Sequence, residues 1–229
     1  MMTYFNHAPL PVQLSETVTA TTTSQGRCYS TPDGVFPSVT TVTGWSKRAF
    51  FAKWRRDNPE ESRRVTSRGT ALHSVIESYI KNEMTEAQYE KQCKQPTPEW
   101  DMFCSMREHI DLIDPVVAVE VPLWSRTVGL AGRVDCVGHY DGKPSIIDFK
   151  SSSKPKSAKD IENYFMQATA YALMWQDRTQ QIVDNITVIM GVESTGECLL
   201  FESRTREWIE PLVNAIRVWK AEQPQFASK

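Results

Sequence analysis

The segment from residue 132 to residue 150 constrains the fold most, because it has the pattern of two neighbouring strands joined by a tight turn. Its first half contains Gly132-Arg-Val-Asp135, its second half contains Ile147-Asp148-Phe-Lys150, and Asp141-Gly142 lies between them. Asp-Gly between alternating strands is a strong signal for a two-residue hairpin turn. Folding back at this turn brings Asp135 close to Asp148. We therefore predict a β-hairpin that gathers two carboxylates and one ammonium group.

Alternation along the second strand assigns its side chains to two faces. Asp148 and Lys150 share one face, which we expect to meet solvent or substrate, whereas Ile147 and Phe149 point to the buried face. Two carboxylates suit Mg²⁺ or Mn²⁺, which are hard cations that prefer oxygen ligands. The alternative is a solvated strand with ordinary surface charges. A second Asp-x-Lys copy at 141–143, on the turn itself, shows that this short pattern alone is common.

Two predicted helices carry further polar residues at helical spacing. His73 and Glu77 lie four residues apart beside an apolar stripe formed by Leu72, Val75, Ile76 and Tyr79, so they can reach one site, although a structural His–Glu contact explains them equally. A second helix is predicted from about residue 159 to 176. Gln167 and Tyr171 lie on the ridge next to its apolar face, and they contact either the sheet below or the active site.

Four motifs follow one another in the chain: Gly69-x-x-x-His73, Gly132-Arg-Val-Asp135, Asp148-Phe-Lys150 and Gln167-x-x-x-Tyr171. In this order they resemble the RecB-like branch of the PD-(D/E)xK nuclease superfamily. Over about residues 27–220 the chain is most similar to the family of the mitochondrial genome maintenance exonuclease and its phage relatives, through residues 37–42, 69–77 and 146–156. The resemblance implies an α/β fold, a restriction-endonuclease-like core in which helices flank a mixed central β-sheet after an N-terminal helical segment. It also implies metal-dependent hydrolysis of DNA.

The resemblance assigns roles residue by residue. Asp135 and Asp148 become metal ligands, joined by His73 and the backbone carbonyl of Phe149, and Lys150 becomes the catalytic lysine. The predicted supporting residues are Glu77, Glu120, Gln167 and Tyr171, of which Glu120 also fits an ordinary solvated strand position. The chain departs from the superfamily pattern in having Val134 where proline is usual and Asp148 where many members have glutamate. Both variants occur in RecB-like sequences.

Residues 47–68, called the basic segment below, contain eight basic and three acidic residues, a net charge of +5. Interleaved aromatic residues such as Phe50, Phe51 and Trp54 can stack on bases while Lys and Arg contact phosphates. The alternative is an amphipathic helix with its aromatics in the core. A second basic cluster follows the Asp148 strand, and the resemblance adds residues 37–42, which otherwise fit a plain connecting strand. The predicted DNA-binding residues are Ser38, Thr40, Lys47, Arg48, Lys53, Arg55, Arg56, Arg64, Arg68, Lys154 and Lys156.

Length and composition predict a single domain over residues 27–229, which the resemblance makes a nuclease domain, preceded by a flexible, Thr-rich segment at 1–26. Within the domain we expect a hairpin and Pro-Ser-Val-Thr segment at 27–44, a helical part at 45–114 and the catalytic sheet with its helices at 115–222. The five cysteines show no close pairing, which argues against a zinc knuckle or an iron–sulfur cluster.

No signal peptide, membrane-spanning run or Arg-rich transit leader is recognisable, so we expect no membrane partner. The predicted setting is the cytoplasm of a bacterial or phage-infected cell rather than the mitochondrial matrix. We expect a monomer that works alongside replication or recombination proteins.

The patterns and the resemblance together predict a Mg²⁺- or Mn²⁺-dependent DNA exonuclease that serves replication, recombination or DNA degradation. Its preference for single strands or free ends is what the resemblance implies. Two alternatives remain open. One is a structure-specific or restriction-type endonuclease, and the other is a non-catalytic DNA-binding subunit on a nuclease-like fold. Intact Asp135, Asp148 and Lys150 argue against the second, because binding alone does not need them.

Overall fold

The computed structural model describes residues 2–14, 18–23 and 25–223. The strands are β1 (Thr19–Thr23), β2 (Gly26–Thr31), β3 (Gly34–Pro37), β4 (Ile113–Ser125), β5 (Leu130–Tyr140), β6 (Lys143–Ser152), β7 (Asn185–Val192) and β8 (Glu197–Arg204). The helices are α1 (Val39–Thr43), α2 (Arg48–Asp57), α3 (Pro59–Ile80), α4 (Glu86–Lys94), α5 (Pro98–Ile110), α6 (Glu162–Thr179) and α7 (Thr205–Ala221). Short 3-10 turns at Trp45–Lys47 and Ala158–Ile161 precede α2 and α6.

The central sheet has five strands in the order β4-β5-β6-β7-β8. Only β6 and β7 run parallel, and α6 makes the crossover between them, which is the connection that parallel neighbours require. The other neighbours are antiparallel. The predicted α/β class with a mixed sheet is therefore confirmed. A separate antiparallel sheet is formed by β1, β2 and β3.

The Asp-Gly turn forms where the sequence predicts it. Asp141 and Gly142 both have left-handed backbone angles, with φ of 47° and 74°, and Tyr140 pairs with Lys143 across the turn. Two consecutive positive φ values are typical of the hairpin turns that match the twist of a sheet. The pairing of β5 with β6 runs as far as Cys136 and Ile147. The next residues on the two strands are the two predicted metal ligands.

Helices cover both faces of the central sheet, and each face buries its own apolar cluster. On one side α1, α6 and α7 pack over residues such as Val134, Ile146 and Val188. On the other side α3 and α5 pack over Ile147 and Phe149, among others. The Ile147–Phe149 face of β6 is buried as predicted, but the opposite face, which carries Ile146 and Asp148, is buried as well. His73 on α3 and the residues of α6 approach the same end of the hairpin from opposite layers.

Two segments near the N-terminus differ in form from the expectation. Within the stretch expected to be flexible, Phe5 and Leu14 are buried, and the backbone N–H of Ala8 donates to the carbonyl of Val116. Residues 1, 15–17 and 24 of that stretch lie outside the described residues. The Pro37–Val42 segment leaves β3 and enters the short helix α1, so the alternative of a plain connecting strand is wrong.

Candidate active site

The candidate site lies where β5 and β6 separate beyond their last paired residues. Oδ2 of Asp135 accepts a hydrogen bond of 2.9 Å from the backbone N–H of Phe149, which ties the first aspartate to the second strand. Oδ1 of Asp148 accepts one of 3.1 Å from Nε2 of Gln167 on α6. Both carboxylates are therefore held by groups that donate to them, and the predicted convergence of the two motifs is present.

The buried Asp148 forms an ion pair with the half-buried Lys150, whose Nζ lies 2.5 Å from Oδ2. We expected this face of β6 to be open, but only 1% of Asp148 is exposed, because α6 covers it. Burial raises the pKa of Asp148 to about 6 despite the neighbouring ammonium. Burial alone lowers the pKa of Lys150, but the Asp148 and Asp135 carboxylates outweigh it, so this pKa lies above its ordinary value. Lys150 therefore stays charged.

His73 reaches the site from the middle of α3. Its Nε2 lies 2.9 Å from the carbonyl oxygen of Phe149 and must donate to it, since a carbonyl only accepts. This contact fixes the tautomer and leaves the Nδ1 lone pair 3.8 Å from Asp135 and 3.9 Å from Glu120. Burial lowers the pKa of His73, but the carboxylates of Asp135 and Glu120 more than compensate, and the pKa is raised.

Glu120 has a larger place in the site than a supporting role implies. One ligand atom from each of His73, Glu120 and Asp135 lies within 4.8 Å of the other two, which is close enough for a shared ion. Glu120 has a left-handed φ of 54° in the middle of β4, a conformation that costs a non-glycine residue about 1–2 kcal/mol. Such strain in a strand is typical of functional positions. The sequence shows the glutamate but not this conformation.

One side of α6, which carries Gln167 and Tyr171 and is called the α6 ridge, packs against the hairpin. Besides Gln167 on Asp148, the buried Tyr171 lies against Gly132 so closely that an added Cβ there would be 2.8 Å from its hydroxyl oxygen. The glycine of the Gly-Arg-Val-Asp motif is therefore needed for a close approach, because any side chain would displace the tyrosine. Burial and then the nearby aspartates raise the pKa of Tyr171 well above its ordinary value.

Two of the predicted site groups have other partners. Glu77 accepts from Nζ of Lys81, the residue that follows α3, at 2.6 Å, so its carboxylate is engaged in an ion pair there. His73 and Lys81 each lie four residues from Glu77, so helical spacing brings either of them within its reach. The carbonyl oxygen of Phe149, predicted as a metal ligand, accepts the hydrogen bond from His73.

Several predicted DNA-binding residues form contacts within the protein. Lys47 donates to the Asp160 carbonyl and to Asn163 at the start of α6. Arg48 lies over the Trp45 ring, 3.9 Å from its centroid, and pairs with Glu222. Arg64 and the buried Arg68 both pair with Glu193, which follows β7. The hydrogen bonds from Arg64 and Arg68 lower the pKa of Glu193 to about 2.

The α2 part of the basic segment is different, because no side chain of α2 is buried. Phe50 and Phe51 are 67% and 43% exposed and pack edge to face on each other. Lys53 and Arg56 make only exposed contacts with Asp57. Arg55 and, after β6, Lys154 are also exposed. Near the site, Ser38 pairs with Ala131, the residue before Gly132, and its hydroxyl contacts Thr40 at 2.9 Å.

The comparison with protein families agrees with this geometry. The family model of the PD-(D/E)XK nuclease superfamily matches residues 46–191, so the chain belongs to this superfamily. The matched range contains His73 and both arms of the hairpin.

The chain is also similar to two curated proteins, the mitochondrial genome maintenance exonuclease 1 of Homo sapiens and that of Mus musculus. Identity is 26% over 148 residues with the human protein, covering 65% of this chain and 41% of the relative. With the mouse protein it is 26% over 132 residues, covering 56% of this chain and 36% of the relative. The chain thus matches about two fifths of the length of these proteins. Family and relatives together support a nuclease.

None of the helices in the described ranges is both long enough and apolar enough to span a bilayer.

Proposed function

We propose that the protein is a divalent-metal-dependent DNA exonuclease that acts on single strands or free DNA ends. The observation that carries the proposal is the convergence of His73, Glu120 and Asp135 beside the Asp148–Lys150 pair. Four residues with oxygen or nitrogen donors from α3, β4, β5 and β6 meet at one end of the sheet. An ion pair that only stabilises the fold does not require four such residues from four different elements.

The donor set fits a divalent cation. His73 offers the Nδ1 lone pair, since its other nitrogen is occupied by Phe149, and Glu120 and Asp135 offer carboxylate oxygens close to it. Asp148 is the fourth proposed ligand, and its carboxylate is held by Gln167 and Lys150. Carboxylates with imidazole suit Mg²⁺ and Mn²⁺, and the mutual repulsion of three carboxylates is relieved by a cation. When bound, such an ion acidifies a water molecule and offsets charge on a phosphate oxygen. Gln167 and the Phe149 N–H orient the carboxylates.

Lys150 stabilises charge and orients the attacking water in this proposal. A general base must be able to lose its proton near neutral pH, and the raised pKa of Lys150 opposes that role. A half-buried ammonium beside the scissile phosphate offsets the negative charge that develops during attack. We expect products with 5′-phosphates.

The surface around the site supports a single-stranded substrate. Exposed Phe50 and Phe51 on α2 can stack on bases, and Lys53, Arg55 and Arg56 on the same helix can contact phosphates. Ser38 pairs with Ala131 beside the first motif of the hairpin, and Lys156 contacts Tyr164 next to Lys150. Dependence on free ends rests on the names of the two relatives, which are called exonucleases.

The cellular setting is also a proposal. The relatives are mitochondrial by name, whereas the sequence predicts the cytoplasm of a bacterial or phage-infected cell. Roles in replication, recombination or DNA degradation all follow from trimming DNA ends, and a monomer is sufficient for that chemistry.

The test is digestion of four substrates, linear and circular, single- and double-stranded, with Mg²⁺, with Mn²⁺ and with EDTA. We expect metal-dependent degradation of linear single strands and no degradation in EDTA. Circular single strands should survive. Cleavage of circles at the rate of linear strands would instead establish an endonuclease, and binding of DNA without cleavage in either metal would establish the non-catalytic alternative.

A further inference from the structure

Tyr164, in the first turn of α6, lies between two lysines at the edge of the candidate site. Its ring centroid is 5.1 Å from Nζ of Lys150 and 5.3 Å from Nζ of Lys156. The Lys156 ammonium also donates to the Tyr164 hydroxyl at 3.3 Å. One half-buried ring therefore contacts both the predicted catalytic lysine and a lysine of the loop that follows β6.

The same ridge of α6 contacts every motif of the hairpin. Tyr164 contacts Lys150, Gln167 contacts Asp148, and Tyr171 contacts Gly132. These residues are three and four positions apart, so they align along one side of the helix. The start of α6 is fixed in turn by Lys47, which donates to Asp160 and Asn163. The ridge is placed to set the positions of the reacting groups.

Two ammonium groups around one ring repel each other, and their charges are balanced differently. Lys150 has Asp148 as its counter-ion, whereas within the described part of the chain no carboxylate lies within 4.0 Å of the Lys156 ammonium, which Asp160 attracts only from a longer distance. The face of the tyrosine ring attracts both cations, because its quadrupole is negative there. An anion entering between them would remove the remaining repulsion. The anion that a nuclease brings to this position is a DNA phosphate.

We propose that Tyr164 is a positioning residue that fixes the Lys150 ammonium for catalysis and presents Lys156 to a DNA phosphate next to the scissile one. This assignment rests on the proposed nuclease function. Tyr164 acts on the reaction through Lys150 by its ring and on substrate binding through Lys156 by its hydroxyl. The two contributions are therefore separable by mutation.

The experiment measures kcat and KM on a short linear single strand for Tyr164→Leu, Tyr164→Phe and Lys156→Met. Tyr164→Leu removes ring and hydroxyl, and we expect kcat to fall about tenfold, since a desolvated cation–π contact is lost. Tyr164→Phe keeps the ring, so kcat should stay near that of the wild type while KM rises about threefold with the lost hydrogen bond. Lys156→Met should raise KM with kcat retained.

Matched controls come from a similar contact between a tyrosine ring and a cation elsewhere in the chain. Tyr89 is also half-buried, contacts Arg107 through its ring at 5.6 Å and accepts a hydrogen bond from it. Tyr89→Leu and, for the change in charge, Lys94→Met should leave kcat and KM unchanged. A melting curve for each variant separates misfolding from lost activity, and Tyr164→Phe still decides the role of the hydroxyl if Tyr164→Leu does not fold.

Kinetic constants for Tyr164→Leu equal to those of Tyr89→Leu would overturn the positioning role. A KM for Lys156→Met equal to that of Lys94→Met would overturn the phosphate contact. In both cases the wild type still degrades DNA, so the nuclease proposal survives. Failure of the wild type to cleave DNA with either metal contradicts the proposed function itself, and the assignment of Tyr164 with it.

Discussion

The hairpin site and the basic segment hold their charges in opposite ways. In the site, Asp148 is buried and Lys150 is half-buried, and each has a specific partner on α6. In the basic segment, the charges on α2 are exposed, and those of Arg64 and Arg68 on α3 are neutralised by Glu193. Buried charges are costly unless fixed partners compensate them, whereas exposed charges cost little. The site is rigid by this logic, and α2 is adaptable.

This difference separates chemistry from substrate capture. Fixed charges can stabilise a transition state because they need no reorganisation during the reaction. Exposed charges and aromatic rings suit a strand of any sequence, because every phosphate and every base can be contacted. The same difference between fixed and exposed charges divides the basic segment itself. Arg64 and Arg68 belong to the rigid scaffold, whereas the charges on α2 are exposed.

The largest expected effect comes from the two Asp-x-Lys copies of the hairpin. Lys150→Ala should lower kcat by at least about a thousandfold, since it removes a charge that offsets the transition state. Lys143→Ala, in the copy on the exposed turn, should leave kcat unchanged. Steady-state digestion of linear single strands measures both. Equal activities of the two variants would contradict the assignment of the site.

Bound metal should stabilise the site but not α2, and this stabilising effect should increase as pH rises. Without metal, the raised pKa values of His73 and Asp148 mean that protonation favours the folded state at low pH. This stabilisation is lost for Asp148 as pH rises through about 6, and for His73 as pH rises above the ordinary histidine value. Metal at about one hundred times its Kd should then add about 2.7 kcal/mol.

Melting curves with and without Mn²⁺ from pH 5 to pH 8 measure this increase, and hydrogen exchange should show new protection in β5, β6 and α3 with none in α2. If the Mn²⁺-induced shift in melting temperature were largest at pH 5, the predicted increase of metal stabilisation with pH would be wrong. Asp135→Asn should reduce the shift, whereas Asp141→Asn on the turn serves as its control.

Glu193→Gln should destabilise the protein by about 2 kcal/mol, because it leaves the buried Arg68 guanidinium without its counter-charge. Glu90→Gln removes an exposed pair with Lys94 and should change the free energy of unfolding by less than about 0.5 kcal/mol. Denaturant unfolding measures both variants. If the free energy of unfolding of Glu193→Gln equalled that of the wild type, Arg68 would not depend on its counter-charge. The distinction between the exposed charges of α2 and the paired arginines of α3 would then be wrong.

Replacing Lys53, Arg55 and Arg56 together by glutamine should weaken binding of single strands about tenfold and reduce the slope of log K against log salt by about two. The melting temperature should hardly change, since these side chains are exposed. Binding titrations in EDTA at several salt concentrations give the slope, with Lys91→Gln/Lys94→Gln on α4 as the control. An unaltered slope would remove α2 from the DNA path.

Local rules predicted the parts of the site that depend on neighbours in sequence. The Asp-Gly turn placed Asp135 beside Asp148, and alternation placed Phe149 in the core. What covers the other face was not predictable, because α6 returns over the hairpin through tertiary packing. The position of Glu120 was also hidden, since it depends on a left-handed residue inside a strand.

Long-range partners explain the remaining differences. Glu193 is separated from Arg68 by 125 residues, so no local pattern shows that this arginine is buried and paired. Glu77 illustrates the opposite case, in which two local partners are equally spaced and only the structure decides between them. Motif order identified the superfamily, whereas charge counting overestimated the number of free cations in the basic segment.

The central claim is that His73, Glu120, Asp135 and Asp148 together form one divalent-metal site. Anomalous diffraction from crystals grown with Mn²⁺ tests it most directly. We predict a single strong peak, or two adjacent ones, in direct contact with His73 Nδ1 and the Asp135 carboxylate. Manganese bound elsewhere on the protein, with this cluster holding none under conditions that support cleavage, would contradict the account.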